Sequence, residues 1–321
     1  MKAAIVLAAG QTPVYADFGE PVPAPGEQGI AVTAAAMSHV VKSRASGQHY
    51  SASGRFPFVA GIDGVGRLDD GRRVYFVLPK APYGSMAEKT VAPAAHCVAL
   101  PDGLDDVTAA AIANPGMSSW AAYKERAMLR AGETVLVNGA TGTAGRLAVQ
   151  IAKHLGAAKV IAIARDGEAL KSVAALGADV TIPLVEDETA LENAFEEQFA
   201  AGVDVVIDYL WGPSAERLLI AGAKAGREAV PIRFVQVGSA GGPDITLPSA
   251  ALRSSAIALM GSGIGSIPFD RLVKAVGELL QAAVPCGFAI AAKSVPLSAV
   301  EQAWPADDSS RRTVFTMDSR I

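Results

Sequence analysis

Two stretches of this 321-residue chain carry side chains or backbone able to do chemistry on a small molecule. The first is the run Asn138-Gly139-Ala140-Thr141-Gly142-Thr143-Ala144-Gly145. It follows the strand-like segment Thr134-Val135-Leu136-Val137 and precedes Leu147, Ala148, Ile151, Ala152 and Leu155, which recur at helical spacing. Strand, glycine turn and helix in that order are the context of a dinucleotide fingerprint. Gly142 would let the backbone approach a pyrophosphate, and Gly145 would let the helix pack close to the strand. N–H groups at the helix start would then face the phosphates, helped by the helix dipole. Ala140 stands where the first fingerprint glycine is expected, with Gly139 just before it. The second stretch holds Ser38, His39, Gln48, His49 and Tyr50, a set of hydrogen-bond donors. His49 can deliver a proton near neutrality, or it is a solvated loop histidine. Tyr50 can orient a carbonyl, or it simply packs.

The next strand, Val160 to Ala164, selects the nucleotide. An NAD site places an acidic residue at its end, about 20 residues beyond the glycines, to hold the ribose hydroxyls. Here that place falls on Ala164, followed by Arg165. Arg165 can fork onto a 2′-phosphate, with Lys171 or a C-terminal arginine, Arg312, assisting. This favours NADPH. Asp166 complicates the reading because it can pair with Arg165. Tyr209, at the end of a later strand, is expected to wall the cofactor cleft. Gly238, Ser239 and Ala240 follow another strand and are expected near the nicotinamide. Gly261 and Ser262 line the same crevice or merely form a turn.

The elements needed to position these groups are visible in the pattern. Val180–Leu184, Val203–Tyr209 and Phe234–Val237 read as further buried strands, and Glu168–Leu176, Thr189–Ala201 and Ser214–Ala223 as the helices between them. Apolar strands alternating with amphipathic helices predict a parallel sheet covered on both faces, a doubly wound α/β unit. Before about Pro101 the chain is rich in Gly and Pro with short apolar runs, the texture of a β-rich unit. The apolar start, Ala3 to Ala9, reads as a strand rather than a signal sequence, leading to a second extended piece at Thr12–Tyr15. After Ser266 a helix, Phe269–Gln281, and short strand-like pieces are expected to return to the first domain. A net charge of −4 gives no general attraction to nucleic acid or anionic lipid. No apolar run is long enough to span a bilayer. The two cysteines, Cys97 and Cys286, match no metal-ligand spacing and read as free thiols in a reducing compartment, so a cytoplasmic location is expected.

Several motifs in order resemble the medium-chain dehydrogenase/reductase superfamily and, within it, the zinc-independent NADPH:quinone oxidoreductases. They are Met1-Lys2-Ala3-Ala4, Pro25-Gly26, Gly61-Ile62-Asp63-Gly64-Val65-Gly66, Tyr83-Gly84-Ser85-Met86-Ala87-Glu88, Leu176-Gly177-Ala178-Asp179 and the glycine turn, and they cover essentially the whole chain. The resemblance implies a GroES-like β barrel from residues 1–112 with 266–321, a Rossmann domain over 113–265, and a homodimer. It also implies that Ser38, Ile62 and the Asn114-Pro115 region stand where zinc-dependent members carry Cys, His and Cys. Such a set cannot replace thiolate and imidazole ligands, so no metal is expected.

Without zinc to lower a hydroxyl pKa, hydride transfer works best on a carbon that is already electrophilic, such as a quinone or the β-carbon of an enone. The protein would supply position, a dry cleft and a donor to the developing oxyanion. Tyr50, His49, Ser38 and Asn114 are the candidate catalytic residues, with the family's cleft tyrosine matching His49 or its neighbour Tyr50. Asn114 faces the cleft or serves as a helix cap or turn. Two other readings stay open: an enoyl-thioester reductase on the same scaffold, and a non-catalytic NADPH-binding sensor or interaction protein.

Overall fold

Runs of Val, Ile and Leu form the centre of the unit Pro115–Leu272, seen in a computed structural model that describes residues 1–48, 54–185, 187–307 and 311–317. Numbered within this unit, the strands are β1 (Thr134–Asn138), β2 (Lys159–Ala164), β3 (Val180–Pro183), β4 (Val205–Asp208), β5 (Ile232–Gln236) and β6 (Ile257–Gly261). They pair in parallel in the order β3-β2-β1-β4-β5-β6. This is the dinucleotide-fold order, in which the winding reverses between β1 and β4. Helices α1 (Thr143–His154), α2 (Gly167–Ala174), α3 (Glu188–Ala201) and α4 (Gly212–Ala225) make the crossovers. Strand residues such as Leu136, Ile161 and Val206 are fully buried against Phe195, Phe199, Leu218 and Phe234. Burying each such side chain contributes about 1.5–3 kcal/mol, which holds the helices to the sheet.

The second unit joins Met1–Asn114 to Val273–Ile321. Its larger sheet runs Ala292–Pro296, Arg312–Thr316, Glu27–Ala36, Asp63–Arg67, Arg73–Val77, Cys97–Ala99, with Lys89–Pro93 also pairing with Glu27–Ala36. The first pair is parallel and the others are antiparallel. A three-stranded sheet places Lys2–Val6 between Val14–Asp17 and Phe58–Val59. The opening apolar run is therefore a paired strand, and the second extended piece lies two residues later than its expected start. Separate sheets, one parallel and one largely antiparallel, bear out the α/β fold class with its additional β unit.

One helix was not legible beforehand. Asp106–Ala121 is helical throughout and continues as a π-helical stretch over Ala122–Ala127. Its residues Ala109–Ala113 are all buried, so no polar face gives a period to read. Asn114 and Pro115 lie inside this helix, which corrects the reading of Asn114 as a cap or turn. Pro115 has no N–H to donate, and its carbonyl instead accepts from the Ser118 and Ser119 hydroxyls at 2.8 and 3.1 Å. Near its start, Asp106 accepts from Thr33 Oγ1 at 2.6 Å and pairs with Arg73, tying the helix to two strands of the β unit.

Asp63, in the glycine-rich motif, is 1% exposed and accepts from the Tyr75 hydroxyl at 3.0 Å. Burial pushes its carboxyl up to about 6, against the pull of Arg312 and the Tyr75 hydroxyl. A carboxyl raised in the folded state binds its proton more tightly there than in the unfolded chain. Its contribution to stability therefore falls as pH rises from about 4 through 6. The expected outcome is that Asp63→Asn loses this component. The difference in melting temperature between variant and parent should shift in favour of the variant across that window, and a pH-independent difference would refute the assignment. Gly66 in the same motif has no room for a side chain, since a Cβ would lie 2.5 Å from the Ala31 carbonyl oxygen. Gly66→Ala should cost about 1–3 kcal/mol by overpacking, measured by denaturant unfolding.

Candidate functional site

The glycine turn after β1 is held by backbone bonds. The N–H groups of Gly139 and Ala140 both donate to the Ile163 carbonyl at 2.9 Å, fixing the turn to the end of β2. Gly139 adopts φ +91°, and a Cβ there would meet Leu210 at 3.1 Å. At Gly145 a Cβ would lie 2.2 Å from the Gly139 oxygen and 2.7 Å from Ala140 Cα, so helix and turn touch backbone to backbone. Gly142 differs from both. It precedes α1 with φ −69° and ψ 163°, and a Cβ would meet only the Gly139 oxygen, at 3.5 Å. The chain itself leaves space open there. Next to that space stand Thr143, Ala144 and Gly145, whose N–H groups open α1 and have no carbonyl four residues back within the helix. Together with the α1 dipole they form an anion site of the kind a pyrophosphate requires.

Arg146 was missed in the sequence because it reads as an ordinary polar-face residue of α1. Its Nε donates to the Thr141 carbonyl at 2.9 Å and its Nη1 to Ser172 Oγ at 2.8 Å. It therefore braces the turn against α2 and adds a cation beside it. At the end of β2, Arg165 is exposed and, among the described residues, makes no ion pair or side-chain hydrogen bond. Asp166 does not pair with it. Instead its Oδ1 accepts from the N–H groups of Glu168 and Ala169, both at 3.0 Å, and caps α2. Lys171 pairs with Glu168 at 2.8 Å, but both side chains are largely exposed, so the pair is weak and exchangeable.

Across the sheet reversal, Asn138 and Asp208 are register partners at the ends of β1 and β4. Asn138 Nδ2 donates to Asp208 Oδ1 at 2.8 Å and to Ser214 Oγ at 2.9 Å. Asp208 also accepts from the N–H groups of Leu210 and Trp211 at 3.0–3.1 Å, which shapes the loop carrying Tyr209. Burial raises the Asp208 carboxyl above its ordinary range, and these donors oppose the shift. The Tyr209 hydroxyl lies 2.7 Å from Ser119 Oγ, and burial pushes its pKa well up, so it stays protonated. Gly238 and Ala240 donate backbone N–H groups to the Asp208 and Tyr209 carbonyls, both at 3.2 Å, while the Ser239 carbonyl accepts from Gly242. Ser262 donates to the Gln236 carbonyl at 2.8 Å, and the Gly261 carbonyl accepts from Arg126 Nε at 2.8 Å. The glycine turn, Tyr209, Gly238–Ala240 and Gly261–Ser262 thus all follow the carboxyl ends of the parallel strands, where open α/β sheets bind ligands.

In the β unit, Ser38 caps the helix His39–Ala45 by accepting from the Val41 N–H at 3.2 Å, and is 7% exposed. His39 and Gln48 are exposed or nearly so. His49 and Tyr50 lie outside the described residues. Asn114 is half-buried within its helix. Arg312 needs correcting. Its Nε and Nη2 are enclosed, and its charge faces Asp63 and Asp307 within the β unit, so its guanidinium is not offered to a nucleotide phosphate. Among the described residues no three His, Cys, Asp or Glu side chains gather as a metal site. Cys97 and Cys286 are not joined in a disulfide.

A reversing parallel sheet with an open glycine turn at its carboxyl edge defines a dinucleotide fold, in a chain that also contains a separate β unit. The zinc-binding dehydrogenase family matches residues 144–281. That match excludes Ser38, Ile62 and Asn114. The chain is 32% identical to the probable NADPH-dependent quinone reductase tdiC of Emericella nidulans, covering 92% of this chain and 94% of that protein. It is 31% identical to a mycocerosic acid synthase-like polyketide synthase of Mycobacterium tuberculosis over 71% of this chain, a span that is 11% of the synthase. Among solved structures, a mycobacterial quinone oxidoreductase superposes with a TM-score of 0.85 at 23% identity, covering 98% of this chain and 99% of that one. The quinone oxidoreductase of Thermus thermophilus, solved alone and with NADPH, superposes with a TM-score of 0.81 at 26% identity, covering 98% and 100%. The chain belongs to the quinone oxidoreductase family of the medium-chain dehydrogenase/reductase superfamily.

The contrast between two glycines yields a test. Gly142→Val should leave the melting temperature nearly unchanged while weakening nucleotide binding by more than about tenfold, because its side chain would enter the open space. Gly145→Ala should instead lose folded stability by about 1–3 kcal/mol. Calorimetric titration and thermal unfolding on both variants check this, and tight binding by Gly142→Val would refute the turn as the pyrophosphate site.

Proposed function

We propose that this chain is a zinc-independent reductase that uses NADPH to reduce a quinone or an α,β-unsaturated carbonyl. The observation that carries the reading is the open space at Gly142, bounded by the amino end of α1, with an Arg165 that is unpaired among the described residues at the end of the next strand. The residues present fit a phosphorylated dinucleotide. Thr143, Ala144 and Gly145 would hold the pyrophosphate through backbone N–H groups. Arg165 would hold the 2′-phosphate, with Lys171 free to leave its exposed partner and Arg146 adding positive charge. The cap formed by Asp166 commits that carboxylate to α2, which favours a phosphate over a bare ribose beside Arg165. Bound NADPH supplies the hydride.

The β unit would supply the substrate side. Ser38, Ile62 and Asn114 stand where the resemblance puts metal ligands, and they leave an acceptor that must be electrophilic already. Tyr50 or His49 would donate to the oxyanion as hydride arrives, with Ser38 and Asn114 in reach of the same cleft. Residues 1–112 with 266–321 would act as the substrate domain and 113–265 as the cofactor domain. The protein would work as a cytoplasmic homodimer, and among the described residues no helix is long and apolar enough to cross a membrane. The polyketide synthase relative favours one alternative, reduction of an enoyl thioester.

Loss of reduced-nicotinamide absorbance with phenanthrenequinone, a simple enone and an enoyl thioester tests the reading. Rapid NADPH-preferring turnover of the quinone is expected. Turnover of the thioester alone would transfer the assignment to the alternative, and no turnover with any acceptor would overturn it. Arg165→Ala should weaken NADPH binding by about tenfold or more with NADH little changed, as loss of a charge-assisted bidentate contact would do; equal weakening of both would remove Arg165 from this role. Turnover should survive a chelator, and one bound zinc per chain would overturn the metal-free chemistry.

A further inference from the structure

The helix His39–Ala45 presents Val41, Arg44 and then Gly47 to a cavity of about 50 Å³ inside the β unit. Its other walls include Phe56, Phe58 and Tyr83. The Phe56 and Phe58 rings stand 5.5 Å apart and, with Tyr83, give the lining an aromatic part. Arg44 is half-buried, and among the described residues its guanidinium has neither an ion pair nor a side-chain hydrogen bond. No carboxylate stands among the described residues that line the cavity. Burial lowers the Arg44 pKa, as expected of a desolvated cation with no counterion among the described residues. A guanidinium left this way is costly, because its donors lose water without gaining acceptors. The cavity has room for more than one water, so it admits a small polyatomic head group.

We propose that Arg44 anchors an anionic substituent, a carboxylate or sulfonate, on an aromatic or other apolar body packed against Phe56, Phe58 and Tyr83. The planar guanidinium offers such an oxyanion two parallel N–H donors, and the rings accept the apolar body. As a statement about substrate this rests on the reductase reading. The cavity is lined by Ile62, and the helix bearing Arg44 is the one capped by Ser38, both residues already assigned to the substrate side. The preferred acceptor is then an acidic quinone or enone rather than a neutral one. Arg44 acts through binding and orientation and takes no part in the proton or hydride steps.

The test compares naphthoquinone with naphthoquinone sulfonate in the parent, Arg44→Met and Arg44→Lys. The parent should prefer the sulfonate in kcat/KM. Arg44→Met should reduce the ratio of sulfonate to neutral kcat/KM at least tenfold, and Arg44→Lys should restore part of it. A second readout needs no turnover: naphthoate should raise the melting temperature of the parent and not of Arg44→Met. An unchanged ratio in Arg44→Met overturns the proposal, as does an equal naphthoate shift in both proteins. If Arg44→Met fails to fold, a sulfonate preference that is intact in Arg44→Lys, together with no naphthoate shift in the parent, also overturns it. The two readings fail separately. Neutral quinone turnover without Arg44 dependence removes the anion pocket and leaves the reductase standing. An Arg44-dependent naphthoate shift with no quinone turnover does the reverse.

Discussion

The hydrogen bond from Asn138 to Asp208 spans the one place where the parallel sheet changes direction, and the architecture of the dinucleotide turn follows from it. A buried carboxylate there is tolerable only because three N–H donors converge on it, one from the amide and two from the backbone of the loop ahead. Each bond to a buried charge is worth about 1.5–3 kcal/mol, and losing one would leave the others to carry an under-satisfied anion. Asp208 thereby dictates the path of Leu210 and Trp211, and Leu210 in turn packs on Gly139. The next loop closes on the same spot, since Gly238 approaches the Tyr209 carbonyl too closely for a side chain. Three strand ends are thus fixed relative to one another by main-chain contacts. Side chains at the margin, such as Arg165, stay exposed.

The two units balance polar and apolar interactions differently. The doubly wound unit buries aromatic and aliphatic side chains around its sheet and places the buried polar pair Asn138 and Asp208 at strand ends. The β unit holds polar groups within it: Asp63 accepts from Tyr75 with the Arg312 charge near, and Asp106 pairs with Arg73 and accepts from Thr33. A part-buried pair such as Arg73 and Asp106 adds little net stability compared with apolar packing, but it disfavours alternative strand registers in which the partners would be separated. In a unit of short strands, whose apolar pattern specifies register weakly, that selectivity has an evident use.

Much of this was legible in the sequence, for reasons that differ along the chain. The strands and helices from Thr134 to Ala225 announced themselves because uniformly apolar strands alternate there with faces at helical spacing. The close packing at Gly145 and the open turn at Gly142 were legible because strand, turn and helix surround them. Asp106–Ala121 was not, since a helix buried on nearly all sides has no amphipathic signature and Asn114-Pro115 imitates a turn. Arg312 was misread because nothing local to it reveals Asp63, which precedes it by most of the chain. Arg146 was overlooked for the opposite reason: its contacts are with neighbours, yet its spacing on α1 is that of a solvated residue.

The strand Arg312–Thr316 lies between Ala292–Pro296 and Glu27–Ala36 rather than at the margin of its sheet. An interior strand is therefore the last part of that sheet to leave the ribosome. Residues 115–272 form an uninterrupted unit and can collapse as soon as they emerge, whereas Ala34–Ala36 must wait for their partner while the whole intervening unit is translated, Lys89–Pro93 having already paired with Glu27–Ala31. During that interval the nascent chain exposes a short unpaired strand end open to wrong pairing, with a duration set by translation rate. The order of synthesis thus runs opposite to the order of structural need, and the first-made half of the protein is the last to be finished.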